Sequence, residues 1–169
     1  MREGFFVPPL SINAILRKAR EFREALKMEN SLYFDIVGVT EFLAYGMNFF
    51  DFEVVDDSEL AGAYAYYDPL KNSLKIRNSV YEKACLGNGR HRFTLAHEIA
   101  HWYLHSNKVV LARTSTGCPV YYDSEWQANT FASMLLMDPD LIRNLSADAI
   151  AERCMVSYQA ATIAKKKLR

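Results

Sequence analysis

The chain is poor in cysteine, in net charge and in long apolar runs, and each shortage removes a class of function. Its three cysteines, Cys85, Cys118 and Cys154, stand apart with no Cys-x-x-Cys pair. So sparse and odd a count argues against a disulfide framework and suits a reducing compartment. The formal net charge is zero over 169 residues, which leaves neither a basic nucleic-acid coat nor a disordered acidic tail. Before the first prolines, Pro8 and Pro9, the only apolar run is Phe5-Phe6-Val7, too short for a secretory leader. No stretch approaches the roughly 18 apolar residues of a membrane span. The expectation is a cytoplasmic protein with no membrane partner and no direct nucleic-acid partner. No repeat, low-complexity tract or linker rich in Gly, Ser or Pro divides it.

What is present is a globular composition: half the residues are apolar, and Tyr and Phe number ten each. The length suits one domain with a real core. Ser11 caps a first expected helix, with Ile12, Ile15, Leu16, Ala19, Phe22 and Leu26 at helical spacing. A second helix is expected from about Asp35 to Tyr45, ending at Gly46. Phe52–Val55, Gly62–Tyr67 and Leu74–Arg77 read as strands, the last two forming a hairpin across the turn residues Asp68–Ser73. After Gly87-Asn88-Gly89 a helix is expected over roughly His91–His105. Asp123 or Ser124 caps another, Glu125 to about Leu136, stopping before Asp138-Pro139. Ser146 and Ser157 cap two short final helices, Ala147–Arg153 and one reaching Lys167.

The chemistry lies in His97-Glu98-Ile99-Ala100-His101. Two histidines four apart project from one face of a helix, one turn above each other, so both imidazoles can reach one ion. The glutamate between them lies beside the ligands, placed to act as general base rather than to bind metal. Zn2+ lowers the pKa of bound water towards roughly 7, and Glu98 can then take its proton. Phe93, Ala96 and Ala100 give this helix a packable face.

His105 extends the i, i+4 series, but eight residues of helix rise about 12 Å. One ion with bonds of about 2 Å to nitrogen cannot reach His97, His101 and His105 together. His105 therefore reads as a supporting neighbour of the ligands or as a helix-end side chain. His91, before the motif, carries no assigned role. The candidate third ligand is Glu125, 24 residues after His101, on a helix whose Ala128, Ala132 and Ser133 permit close approach. An ordinary acid at a helix N-terminus is the competing explanation, and Asp123 is the reserve ligand. Asn129, one turn after Glu125, is placed to hydrogen-bond a ligating histidine.

Arg92-Phe93-Thr94-Leu95-Ala96-His97-Glu98-Ile99-Ala100-His101, with Glu125-x-x-Ala128-Asn129-x-Phe131-Ala132-x-x-Leu135-Leu136-Met137, resembles the ImmA/IrrE family of bacterial and phage metallopeptidases. The segment Ile150–Ala161 is similar to that family's C-terminal helices. The match runs from roughly Leu60 to the end. The resemblance implies a gluzincin-like zinc site with His97, His101 and Glu125 as ligands and Glu98 as catalytic base. It implies a substrate too: a regulatory protein, in that family a helix-turn-helix transcriptional repressor. The fold expected is α+β, a single zincin-like domain, mostly helical with a small antiparallel or mixed sheet beside the motif helix. Helices fill about residues 1–50, the catalytic core about 52–139, and C-terminal helices 140–169 pack on it. Two departures stand out: Asp138 is inserted where the family reads Leu-Leu-Met-Pro, and Lys165-Lys166-Lys167 replaces a usual arginine.

Several further roles stay open. In zincins an edge strand beside the motif helix binds extended substrate, and Gly62–Tyr67 or Leu74–Arg77 is the candidate. Tyr64, Tyr66 and Tyr67 could stabilise an oxyanion or simply pack. Cys118 could visit the zinc or be a small buried hydrophobe. The lysine-rich tail is explained by the helix dipole and solvation. Against the peptidase stand a docking protein with the same zinc site and a hydrolase of another amide.

Overall fold

The computed structural model describes residues 5–106 and 119–168. Helix α1, Ile12–Ala25, begins where the Ser11 side chain accepts from Ala14 N. It turns Ile15, Ala19 and Phe22 inward, the apolar stripe its spacing requires. Helix α2, Ile36–Glu41, is capped by Asp35 and continues as a π-helical turn, Phe42–Gly46. The expected 35–45 helix is thus one rod with a wider last turn. Strands β1 (Asp51–Val55), β2 (Ala65–Asp68) and β3 (Ser73–Arg77) follow.

The sheet has the order β1-β3-β2. β2 and β3 form the expected antiparallel hairpin, Ala65 opposite Ile76 and Asp68 opposite Ser73. β1 joins the other side of β3 in parallel, Asp51 opposite Ser73 and Val55 opposite Arg77. Leu74–Arg77 therefore lies in the middle of the sheet, which rules it out as an edge for substrate. Its Leu74 and Ile76 are fully buried. The expected strand from Gly62 starts only at Ala65: Gly62 sits in a turn at φ 78°, a conformation that breaks the extended chain.

An unexpected helix, α3 (Asn78–Cys85), leaves β3 directly; its N-cap residue Arg77 supplies no side-chain cap, and the distant Asp57 carboxylate accepts from Ser79 N at 3.1 Å instead. Helix α4, Gly89–His105, starts two residues earlier than expected because Asn88 caps it. A Cβ on Gly89 would lie 2.6 Å from Ser157 N and from Val156 C. Only glycine lets the start of α4 approach the turn before the last helix so closely. Helix α5, Ser124–Leu136, is capped by Asp123. Short α6 (Pro139–Ile142), then α7 (Ala147–Cys154, capped by Ser146) and α8 (Tyr158–Lys167, capped by Ser157), complete the α+β domain.

Helices α4 and α5 pack closely, with Ala96, Ala100, Ala128 and Ala132 all fully buried between the layers. α1 lies along α5, and α4 also covers β2. Two buried arginines brace the segment between α1 and α2. Arg92 donates to Phe34 O at 2.7 Å and covers the Tyr33 ring. Arg23 donates to Leu135 O and Ser31 O. Asp138 caps α6 and takes a bidentate ion pair from Arg20 on α1, at 2.8 and 3.1 Å. Among the described residues no helix is long and apolar enough to cross a membrane.

Candidate metal centre

The α4–α5 contact sets the site. One α4 turn separates His97 from His101, and the small residues of both helices let Glu125, in the first turn of α5, reach across to them. Glu125 Oε2 lies 3.2 Å from His97 Nε2 and its Oε1 3.2 Å from His101 Nε2, while the two Nε2 atoms are 3.0 Å apart. Donor atoms of these three side chains all lie within 4.8 Å of one another. Bonds of about 2.0–2.1 Å in tetrahedral geometry put ligand atoms about 3.3–3.4 Å apart. The triangle is close to that size, and it combines two nitrogens with one carboxylate. The residues present therefore fit a zinc-type ion.

The electrostatics agree. Burial disfavours the Glu125 carboxylate, yet hydrogen bonds and charge from His101 and His97 outweigh it and hold the group well below the usual range. Burial also works against a charge on His97; Glu125, Glu98 and Asn129 overcome it and raise the imidazole pKa. Both shifts record the mutual attraction of the carboxylate and the imidazoles that face it across the triangle.

The supporting contacts face away from the triangle. His97 Nδ1 is 3.0 Å from Asn129 Oδ1, as the sequence suggested. His101 Nδ1 is 3.3 Å from His105 Nδ1, and His105 Nε2 is 3.1 Å from Gln127 Oε1. His105 is thus a buried neighbour of a candidate ligand, 4% exposed, and not a surface side chain at a helix end. Glu98, 3% exposed, points from α4 towards β2, where its Oε2 accepts from Tyr67 N at 2.8 Å.

Other candidates separate from the triangle. Asp123 is a cap outside the triangle: its Oδ1 accepts from Glu125 N at 2.9 Å and fixes the first turn of α5. His91 Nδ1 meets Asn88 Oδ1 at the start of α4. The Tyr67 hydroxyl donates to Asn72 Oδ1 at 2.9 Å, and burial, with Asp68 nearby, pushes its pKa up to about 12; its main chain, not its phenol, meets Glu98. The Tyr64 ring lies under Arg77 and Arg90. Lys165 donates to Arg143 O, which gives one lysine of the basic tail a structural task. Cys118 lies outside the described residues. Sequence reasoning missed Gln127, whose signal was an amide among the small and apolar residues of a helix about to be buried. It also missed the Tyr67 N–H, which no side-chain pattern reveals.

No curated protein matches the chain. The model of the Peptidase_M78 family, described as the IrrE N-terminal-like domain, matches residues 53–164, a span holding β2, β3 and most of β1, α4, α5 and the whole triangle with Glu98. On that match, which covers well over half its length, the chain belongs to this peptidase family.

Proposed function

We propose that the protein is a cytoplasmic zinc endopeptidase that cuts a regulatory protein, a helix-turn-helix repressor of a mobile element or stress regulon. The observation carrying the peptidase reading is the pairing of the His97–His101–Glu125 triangle with a buried carboxylate, Glu98, one position from His97. A site that only held a structural metal would have no use for that acid. When bound, zinc supplies Lewis acidity and an acidified water. His97, His101 and Glu125 hold the ion. The Glu98 carboxylate, fixed by Tyr67 N–H, accepts a proton from the attacking water and returns it to the departing amine nitrogen.

β2 lies at one edge of the described sheet and beside α4, the position from which zincin-type strands align extended substrate. Family membership supports the peptidase class; the repressor target follows from the sequence resemblance. The test is incubation of the protein with helix-turn-helix repressors, with zinc and with chelator. Cleavage that needs zinc and Glu98 supports the proposal. A stable complex with intact repressor, formed with zinc present, overturns it in favour of a docking role.

A further inference from the structure

The triangle is backed by a chain of hydrogen bonds that ends in the N-terminal segment, outside the matched span. Gln127 is fully buried, and its Nε2 donates to Pro8 O at 2.9 Å and Tyr121 O at 2.8 Å. Carbonyl oxygens only accept, so the amide cannot be turned round without facing oxygen to oxygen. Its Oε1 therefore faces His105 Nε2 at 3.1 Å, and that nitrogen must carry a proton. In its neutral form the imidazole has a single N–H, which leaves His105 Nδ1 to act as an acceptor. It lies 3.3 Å from His101 Nδ1, which must then be the donor. The remaining nitrogen of His101, Nε2, faces Glu125 and His97, the side on which a bound ion would take its lone pair.

We propose that His105 and Gln127 are positioning residues: anchored on Pro8 and Tyr121, they lock His101 in the Nδ1–H form that presents Nε2 to a metal. The inference rests on His101 being a ligand. It gives the family-like histidine pair an asymmetric support, with Asn129 behind His97 and a two-residue relay behind His101. Loss of such support typically costs about 10–100-fold in metal affinity.

The test compares zinc affinity, by competition with a chromophoric chelator, for the full chain and for His105→Phe and His105→Gln. Phenylalanine keeps the ring and removes both nitrogens; glutamine keeps one acceptor and one donor. Nitrogen-detected NMR of the imidazoles reports the tautomers directly. Support consists of wild-type His105 protonated at Nε2 and His101 at Nδ1, affinity down about tenfold or more in His105→Phe, and affinity near wild type in His105→Gln. Equal affinity in His105→Phe, or equal losses in both variants, overturns the relay while leaving the metal site intact. A wild-type protein that binds no zinc overturns both readings. Should His105→Phe fail to fold, Gln127→Met interrupts the same chain, and the wild-type tautomers alone still decide: His105 protonated at Nδ1 overturns the proposal.

Discussion

The Glu98 carboxylate accepts a hydrogen bond from the main-chain N–H of Tyr67 at 2.8 Å, joining the helix that carries the histidines to an edge of the sheet. A glutamine at position 98 can still accept that bond through its amide oxygen, but it cannot take a proton. Glu98→Gln should therefore keep the fold and zinc affinity while peptide cleavage falls by roughly 10²–10⁴-fold, the usual contribution of a general base. Cleavage assays beside a zinc titration check this; retained turnover would remove Glu98 from the chemistry.

Glu125 and Asp123 are two residues apart and should fail differently. Glu125→Gln removes the carboxylate charge from the triangle, so zinc affinity should drop by at least the ~10–100-fold that losing a mere supporting partner costs. Asp123→Ala removes the α5 cap and should cost about 1 kcal/mol of stability, with zinc affinity reduced far less. Thermal melts and zinc titrations on both variants separate the roles. A greater loss of zinc binding in Asp123→Ala would exchange them.

Gly89→Ala tests the close approach beneath α4. The added methyl meets backbone atoms of Val156 and Ser157 at 2.6–2.7 Å, which cannot rotate away. Overpacking of this kind costs about 1–3 kcal/mol. A denaturant melt should show that loss, and an unchanged midpoint would mean the C-terminal turn can move aside freely.

The pH response should depend on whether metal is bound. In the metal-free protein burial opposes the His97 charge, but Glu125, Glu98 and Asn129 raise its pKa above the ordinary 6.5. That contribution to stability is complete below 6.5 and is lost as pH rises through the folded value. Glu125 is shifted the other way from 4.5, so its contribution is present above that pH and lost below it. Zinc needs the deprotonated ligands, so its stabilisation grows with rising pH. Between pH 6 and 8 the gap between zinc-loaded and chelator-treated melts should widen; a constant gap would contradict metal binding by His97.

Much of this was legible in the sequence because it is local. Ser11, Asp123, Ser146 and Ser157 cap their helices as polar residues ahead of apolar periods should. The spacing of His97, His101 and Glu125 led to the triangle because helix pitch fixes one pair and small residues admit the third. The pairing of β1 with β3 was not legible, since parallel register is set by distant contacts and not by neighbouring residues. Helix α3 was missed because Arg77 supplies no side-chain cap to announce it. The burial of Arg23 and Arg92 was not legible either, since it is explained only by the distant carbonyls of Ser31, Phe34 and Leu135. Glu98 was identified from the motif, but its partner is a main-chain group and leaves no trace in residue identity.

Helix α1 and the segment after it supply Ile15, Ala19, Phe22 and Phe34 to the same core that α4 and α5 fill. Family similarity begins only at residue 53. The boundary drawn by kinship and the boundary of cooperative folding therefore fall in different places. Excising the recognisable part would strip one flank of α5 down to bare hydrocarbon, a surface prone to self-association. Transplanting this activity to another scaffold would mean carrying the unrecognised first third along, or building a replacement cover for that flank.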